Sequence, residues 1–127
     1  MGENTGTRGE LYASDYLIKK GYQIVNRNYK SRYGEIDLIA HNDEFLVFVE
    51  VKTRSTNSIY GPKESVGISK QRKIIKTALM YISKEESALQ PRFDVIEIII
   101  RNKNCFEVIS INHIENSFEA GDNYSSF

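Results

Sequence analysis

The spacing of hydrophobic residues changes along the chain, and each change predicts a new element. Apolar side chains at a helical spacing predict a first helix from about Thr7 to Lys20, and Gly21 predicts where it ends. The apolar runs that follow have the spacing of strands. They predict three strands over residues 22–30, 34–41 and 44–53, with a tight turn at Asn42 and Asp43.

The second half of the chain is predicted to begin with a loop over residues 54–65, which are polar and contain a Gly-Pro pair. Ser69 is expected to cap a second helix that ends near Ser83. The apolar residues that share one face of this helix are predicted to be buried: Ile75, Ala78, Leu79 and Ile82. Two further strands, over residues 92–100 and 105–111, complete an α/β fold in the order αβββαββ.

Length and composition limit the class of protein. A chain of 127 residues, 40% apolar and 27% charged, suits one globular domain, which we expect over residues 1–118, with a flexible tail over residues 119–127. Cys105 is the only cysteine, so no intramolecular disulfide can form. No apolar run approaches the roughly 20 residues that span a bilayer, and residues 1–10 lack the apolar core of a signal peptide. We therefore expect a cytoplasmic protein that does not bind membranes.

The formal net charge is zero, but the charges are unevenly distributed. Residues 52–76 hold seven basic residues and one acidic residue, whereas residues 115–127 hold three acidic residues and no Lys or Arg. A basic segment is typical of proteins that bind polyanions such as nucleic acids. The alternative is a solvated helix face with a loop, which is the more common explanation of a single charge run.

The strand over residues 44–53 is apolar on both faces at its start and charged at its end. Alternate residues share a face, so Glu50 and Lys52 follow Phe48 on one side. Apolar residues on both faces are typical of a central strand that is covered on both sides. A two-residue turn places Asp37 opposite Phe48 and diagonal to Glu50, and a register shifted by two residues places it directly opposite Glu50. Either register brings Asp37, Glu50 and Lys52 together.

Two carboxylates held this close repel each other and are costly to bury unless a cation lies between them. Their oxygens suit a hard divalent ion, above all Mg²⁺, with Mn²⁺ as an alternative. The competing explanation is a partly exposed Glu50–Lys52 ion pair beside a solvated Asp37. Glu10 is a further candidate, because its spacing from Ala13 places it on the inward face of the first helix. Alone, Glu10 is equally explained by the favourable interaction of an acidic residue with a helix N-terminus.

Motifs along nearly the whole chain resemble a known family. A Glu on the first helix, an Asp on one strand and the triplet EVK on the next resemble the PD-(D/E)xK nuclease superfamily. More closely, the motifs GTRGELYASDYLIKKGY, GEIDLIAHNDEFLVFVEVKTR, SKQRKIIKTALMYI and RFDVIEI are similar to the YraN-like family of small bacterial proteins. That family is itself similar to archaeal Holliday junction resolvases. Ile36, not Pro, precedes Asp37, as in the resolvase-like branch, and the Gln-x-x-x-Tyr pattern of another nuclease branch is missing after Gln71.

The resemblance implies a restriction-endonuclease-like core, with a central mixed five-stranded sheet flanked by helices, and Mg²⁺-dependent hydrolysis of phosphodiesters. The catalytic residues that it implies are Glu10, Asp37, Glu50 and Lys52. Asp37 and Glu50 would hold the ion, and the Val51 carbonyl or Glu10, through water, would complete its shell. Lys52 would hold the attacking water or neutralise charge on the phosphate.

The expected partner is nucleic acid, with structured or branched DNA preferred to RNA, and a homodimer is left open. The residues expected to contact phosphates are Arg54, Lys70, Arg72 and Lys73. Tyr33 and Tyr60 are candidates for stacking on bases, and Glu35 is either a ligand or the partner of Lys52. One alternative function is a non-catalytic nucleic-acid-binding module, against which the presence of all four catalytic residues argues. Another is a structural cation site in a protein-interaction domain, which would need no Lys in the pocket.

Overall fold

The computed structural model describes residues 4–56 and 66–120. Its elements follow the predicted order: α1 Thr5–Lys19, β1 Gln23–Ser31, β2 Gly34–His41, β3 Phe45–Ser55, α2 Ile68–Glu85, β4 Gln90–Asn102 and β5 Cys105–Phe118. The strands form one sheet in the order β1-β2-β3-β4-β5, in which β3 and β4 are parallel and the other neighbours are antiparallel. The predicted α/β fold with a mixed five-stranded sheet is confirmed.

Helix α1 is bounded by residues that satisfy its free backbone groups. The Asn4 side-chain oxygen accepts a hydrogen bond of 2.8 Å from the Thr7 N–H, so the helix begins slightly earlier than predicted. After the last turn, Gly21 adopts a φ of 99°, a conformation that is strained for residues with a side chain. The predicted end of this helix at Gly21 is therefore confirmed.

The two helices cover opposite faces of the sheet, and each face has its own hydrophobic core. Ala13 and Leu17 of α1 pack against one face, in a cluster that includes Val47 and Val49 of β3. Helix α2 forms the crossover between the parallel strands and packs against the other face, in a cluster that includes Leu46 and Phe48. These four residues of β3 are each at most 3% exposed. The predicted central strand, covered on both faces, is confirmed.

The turn between β2 and β3 differs from the prediction. A two-residue turn would pair residues 41 and 44, but His41 pairs with Leu46. The Asn42 side-chain oxygen accepts hydrogen bonds from the N–H groups of Glu44 and Phe45, at 2.9 and 2.8 Å, and this favours a wider turn. The register is thus shifted by two residues, and its continuation places Asp37 directly opposite Glu50. Because the shift is even, each side chain keeps its predicted face.

The buried face of α2 is also different from the prediction. Ile75 and Ala78 are buried as predicted, but Leu79 is 40% exposed. Thr77 is buried instead, because its hydroxyl group bonds to the Ser31 hydroxyl group at 2.7 Å and to the Lys73 carbonyl at 2.9 Å. Because threonine is polar, the spacing of apolar residues does not predict that Thr77 is buried, and it therefore misplaces the buried face of α2. The helix begins at Ile68 after the N-cap Gly67, which places Ser69 inside the first turn.

The first residues of the predicted loop belong to β3, and the first residues of the predicted tail contact the rest of the domain. Strand β3 continues to Ser55, and residues 57–65 of the predicted loop, which include Tyr60, lie outside the described residues. Ala120 packs against the α2-side core, and Glu119 accepts a hydrogen bond of 3.1 Å from the Asn116 side chain. Residues 121–127 of the predicted tail lie outside the described part. No helix of the described residues is long and apolar enough to cross a membrane.

The motif RFDVIEI begins with a buried polar network. Arg92 donates hydrogen bonds of 2.9 and 2.8 Å to the Asp94 carboxylate and one of 2.6 Å to the Tyr22 hydroxyl group. His113 Nε2 lies 2.7 Å from Asp94 Oδ2. Buried charges are tolerated only when they are paired in this way. The network joins β4 to β5 and to the segment after α1.

We expect the substitution Gly9→Ala to destabilise the fold, because α1 approaches β3 most closely at this residue. A Cβ atom at Gly9 would lie 1.9 Å from the Thr53 hydroxyl oxygen. An alanine must therefore push α1 away from the sheet. We expect the free energy of unfolding, measured by urea denaturation, to fall by about 1–3 kcal/mol.

Gly6→Ala is the matched control, because Gly6 lies in the same helix but is exposed, and its Cβ atom would meet only the Asn4 side chain, at 3.4 Å. This variant should gain up to about 1 kcal/mol from helix propensity. Combining Gly9→Ala with Thr53→Ala should restore most of the lost stability. Equal stability of the Gly6 and Gly9 variants would contradict the close contact.

Candidate functional site

Two carboxylates face each other where β2 pairs with β3. Asp37 Oδ2 accepts a hydrogen bond of 2.8 Å from the Val51 N–H, so a side chain replaces a backbone acceptor at this point of the sheet. Glu50 lies opposite Asp37 when the register is continued by one residue beyond the Leu38–Val49 pair, and it is only 7% exposed. The buried apolar residues of β3 therefore hold one carboxylate at the edge of the core, next to a second.

Lys70 supplies the positive charge that contacts this pair. Its Nζ atom lies 2.7 Å from Glu50 Oε1. The Lys70 side chain is 55% exposed, whereas that of Glu50 is 8% exposed, so the ammonium group reaches from solvent to a buried carboxylate. A cation at this position is expected, because two adjacent carboxylates without one are costly to desolvate.

The electrostatic environment favours the protonated form of Asp37. Burial makes the largest contribution and, with the charge on Glu50, raises the pKa of Asp37 from 3.8 to about 7. The hydrogen bond from Val51 and the charge on Lys70 act in the opposite direction. The hydrogen bond from Val51 and the charge on Lys70 therefore only partly offset the burial of Asp37 and its repulsion by Glu50.

A second acidic pair adjoins the first and is bridged by Asn28. In the amide orientation that satisfies its neighbours, the Asn28 nitrogen lies 3.1 Å from Glu10 Oε1 and 3.0 Å from Glu35 Oε1. Burial raises the pKa of Glu10 above its ordinary value, against hydrogen bonds with Asn28 and Asp37 that lower it. Asn28 adopts a φ of 53°, which asparagine tolerates better than most residues. The sequence pattern did not identify Asn28, because its role depends on this local conformation.

Two cavities open on opposite sides of the Asp37–Glu50 pair, and both carboxylates line both cavities. The α1-side cavity, of about 300 Å³, is also lined by Glu10, Val51 and Thr53. The α2-side cavity, of about 560 Å³, is also lined by Glu35, Lys70 and Lys73. The structure therefore brings together the three predicted carboxylates and the backbone of Val51.

Lys52 and Arg54 lie further along β3 than the acidic pair. Lys52 shares the face of Glu50, is half-buried, and pairs with Glu97 in the parallel register. Arg54 Nη1 lies 3.3 Å from Glu97 Oε2, and their side chains are 13% and 24% exposed. Among the residues described here, neither basic residue lines the α1-side or the α2-side cavity. The lysine that contacts the carboxylates is thus Lys70, which the sequence pattern had placed among the phosphate contacts.

The remaining predicted phosphate contacts lie together on α2. Arg72 and Lys73 are exposed on its first turns, and Lys73 lines the α2-side cavity with Lys70. Arg54 is separated from them by its position on β3 and by its ion pair with Glu97. The structure therefore divides the four predicted residues into three on α2 and one on the sheet.

The donor atoms fit a hard divalent cation that keeps part of its water shell. Within residues 4–56 and 66–120, no three His, Cys, Asp or Glu side chains are grouped so that they hold a metal ion by themselves. Asp37 and Glu50 offer two carboxylates, and the Val51 carbonyl points to the same neighbouring strand as the Val51 N–H. Mg²⁺ commonly takes one or two carboxylates and completes its shell with water and phosphate oxygens.

Comparison with known proteins identifies the family. Residues 9–98 match the uncharacterised protein family UPF0102. The chain belongs to the UPF0102 family. The matched segment of this UPF0102 protein contains Glu10, Asp37, Glu50, Lys52 and Lys70. The similarity to the YraN-like family that the motifs predicted is confirmed.

Individual UPF0102 relatives are similar over most of the chain. A UPF0102 protein of Caldanaerobacter subterraneus subsp. tengcongensis is 44% identical over 117 residues, which cover 91% of this chain and 95% of the relative. One of Clostridium botulinum is 44% identical over 120 residues, covering 92% and 95%. One of Clostridium tetani is 45% identical over 115 residues, covering 90% and 93%.

We expect the stability of the UPF0102 protein in EDTA to fall as the pH rises from about 4 to about 7 because of Asp37, whose pKa is raised to about 7. In this interval the folded protein keeps a proton that the unfolded chain has lost. The stabilising contribution is therefore complete below the unfolded pKa and is lost as the pH rises through the folded pKa. At pH 8, Asp37→Asn should be more stable than the parent by about 1–3 kcal/mol in urea denaturation, and the difference should shrink toward pH 4.

Asp43→Asn, at an exposed position in the turn between β2 and β3, is the matched control and should follow the parent at each pH. If the two Asn variants have the same free energy of unfolding at each pH, the pKa of Asp37 is not raised by burial and by the charge on Glu50 as described above.

Proposed function

We propose that this protein is a Mg²⁺-dependent or Mn²⁺-dependent endonuclease that hydrolyses phosphodiesters in structured or branched nucleic acid, with DNA preferred to RNA. The observation that carries the proposal is the pair Asp37 and Glu50, held opposite each other beside the Val51 backbone at the edge of the core. The order of Glu10, Asp37, Glu50 and Lys52 along the chain matches the PD-(D/E)xK pattern, and the mixed sheet is consistent with a restriction-endonuclease-like core.

The balance of charge supports a site for an additional cation. A structural ion pair between Lys70 and Glu50 would be satisfied without a second carboxylate, and Asp37 would then add repulsion that its hydrogen bond from the Val51 N–H only partly offsets. Burial, followed by the charge on Glu50, raises the pKa of Asp37 to about 7, so the Val51 N–H and Lys70 only partly offset the cost of its negative charge. A divalent ion between the two carboxylates would compensate it and would displace the proton from Asp37.

In the proposed reaction, Asp37 and Glu50 would hold the ion, together with the Val51 carbonyl and, through water, Glu10. The chemistry that Mg²⁺ would supply there is that of a Lewis acid, which polarises a phosphate and lowers the pKa of an attacking water. Lys70 exchanges its contact with Glu50 for the phosphate in the α2-side cavity, where its ammonium group stabilises the negative charge of the transition state. Lys52, two residues beyond Glu50, is the second candidate for this role.

The basic residues of α2 support a nucleic-acid substrate. Lys70, Arg72 and Lys73 follow one another within about one helical turn, and Lys70 and Lys73 line the α2-side cavity, which is also lined by the carboxylates. Such residues bind phosphates without reading the sequence of bases. A phosphate that contacts them is therefore brought next to Asp37 and Glu50.

A non-catalytic nucleic-acid-binding module is the second candidate function, and one observation favours it. Lys70 already contacts Glu50, and the described residues do not contain a preformed three-side-chain metal site. In that case the carboxylates would position Lys70, and the protein would bind nucleic acid without cleaving it.

Incubation with labelled branched and linear DNAs and RNAs, in Mg²⁺, Mn²⁺ or EDTA, separates the two functions. We expect cleavage that requires the divalent ion and that falls by about 100-fold or more in Asp37→Asn and in Glu50→Gln. Binding in EDTA should be unchanged or slightly tighter in Asp37→Asn, because the variant removes an anion from a phosphate site. The folded state of each variant is checked by circular dichroism.

Equal cleavage in EDTA would exclude the metal mechanism. Binding without cleavage of any substrate would support the non-catalytic module. Much weaker binding by Asp37→Asn would indicate that the carboxylate contacts the ligand directly or is structural, and the metal assignment would fail.

The two lysines are distinguished by metal binding. Lys70→Met removes the ammonium group that competes for Glu50, so we expect Mn²⁺ to bind about tenfold more tightly, as measured by isothermal titration calorimetry. Lys52→Met should leave Mn²⁺ binding close to that of the parent. The kcat for cleavage of nucleic acid should fall further in Lys70→Met than in Lys52→Met. The reverse order in both measurements would identify Lys52 as the lysine of the site.

A further inference from the structure

The α2-side cavity of the candidate site continues along the surface. Ser69 and Lys73 line both this cavity and a second one of about 430 Å³. Tyr33 and Lys76 line both the second cavity and a third of about 550 Å³, which extends to Lys84. The three cavities form one groove, here called the α2 groove, between the tip of the β1–β2 hairpin and the exposed face of α2. From Lys70 to Lys84, it follows the helix for roughly 20 Å.

The two walls of the α2 groove are held together by buried contacts. The Ser31 hydroxyl group bonds to the Thr77 hydroxyl group at 2.7 Å and accepts a hydrogen bond of 3.0 Å from the Tyr33 N–H. A Cβ atom at Gly34 would lie 3.4 Å from the Lys73 Cβ atom, so the hairpin and the helix touch. The groove is therefore a fixed feature of the fold, which reduces the entropic cost of binding a ligand.

The charge of the α2 groove is strongly one-sided beyond the carboxylates. The basic residues that line its second and third cavities are Arg32, Arg72, Lys73, Lys76 and Lys84, and within residues 4–56 and 66–120 no acidic residue lines these two cavities. Arg72 and Lys76 are one helical turn apart, so they offer cations at a regular spacing along the groove. This arrangement is complementary to an extended polyanion whose end reaches the Asp37–Glu50 pair.

The far part of the α2 groove also offers flat and apolar surface. Leu79 and Met80 are 40% and 41% exposed and line the third cavity with Tyr33. Arg32 and Lys76 lie over the Tyr33 ring, at 5.0 and 5.3 Å from its centre. Stacking of a base on an aromatic ring is stronger than an exposed cation–π contact, so a base can replace one of these cations and release it to a phosphate.

We infer that the α2 groove binds an unpaired nucleic-acid strand, with phosphates on its basic residues and at least one base on Tyr33. A paired strand does not fit this chemistry, because the faces of its bases are covered by their neighbours in the duplex. The inference rests on the proposed function in one respect, which is that the bound strand runs along the groove toward the Asp37–Glu50 pair. It implies that the preferred substrates carry a single-stranded extension beside the bond that is cleaved.

The test is binding in EDTA, measured by fluorescence anisotropy with a labelled oligothymidylate, a blunt duplex of equal length and a poly-glutamate peptide. We expect the oligothymidylate to bind at least about tenfold more tightly than the other two ligands. Tyr33→Ala should weaken its binding by about 5-fold to 100-fold, whereas Tyr33→Phe should bind like the parent. Met80→Glu, at an exposed helical position, should weaken binding as well and does not depend on the packing of Tyr33.

The salt dependence provides a second readout. Lys76→Gln should reduce the slope of log affinity against log salt by about 0.7, the value expected for one phosphate contact of a single strand. Lys19→Gln is the matched control, because Lys19 is exposed on α1, on the opposite face of the sheet. It should leave both the affinity and the slope unchanged.

Equal binding of the duplex or of poly-glutamate would overturn the inference, since general charge attraction would then explain the groove. Parent-like binding of the oligothymidylate by both Tyr33→Ala and Met80→Glu would overturn it as well. If the oligothymidylate depends on the groove but no substrate is cleaved in Mg²⁺, the inference stands and the proposed nuclease function fails. If cleavage occurs and the groove variants bind normally, the nuclease function stands without this groove.

Discussion

The repulsion between Asp37 and Glu50 is the constraint on which the rest of the site depends. The two strands cannot shift their register by one residue to relieve it, because that shift would move each core side chain of β2 out of the core in which it packs and onto the opposite face of the sheet. Two unit charges about 5 Å apart repel by about 3 kcal/mol at an effective dielectric constant near 20, which is a large fraction of the stability of a small domain. Three features offset this cost: the Val51 N–H, the Lys70 ammonium group and partial protonation of Asp37.

The same packing that builds the two cores also brings both helices to this pair. On one face, the absence of a side chain at Gly9 allows α1 to contact Thr53, which places Glu10 in the α1-side cavity. On the other face, α2 lies in the crossover between β3 and β4 and carries Lys70 in its first turn. An acidic group and a basic group therefore reach the carboxylates from opposite faces, and each is held by an element that has its own hydrophobic core.

The order of elements and the shared face of Asp37 and Glu50 could be predicted from the sequence, for one physical reason. Periodicity determines which side chains share a face, and any even register keeps Asp37 and Glu50 on the same face. Periodicity does not determine contacts between distant elements, so it could not identify the contact between Glu50 and Lys70, which arrives from α2. It also could not identify the Asn42 side chain that widens the turn, or the positive φ of Asn28.

The prediction that Leu79 is buried is wrong for the same reason. It concerns both the core and the surface, because Leu79 lines the α2 groove instead of the core. The buried face of α2 includes Thr77, whose hydroxyl group bonds to that of Ser31, and Leu79 lies outside it, beside Met80 and Tyr33. The packing of this helix thus also determines which of its side chains line the α2 groove. In the proposed function, cations along this groove attract a phosphate chain that the Asp37–Glu50 pair repels until a divalent ion binds. Reciprocity then requires that the strand raise the affinity for the ion by the same factor as the ion raises the affinity for the strand.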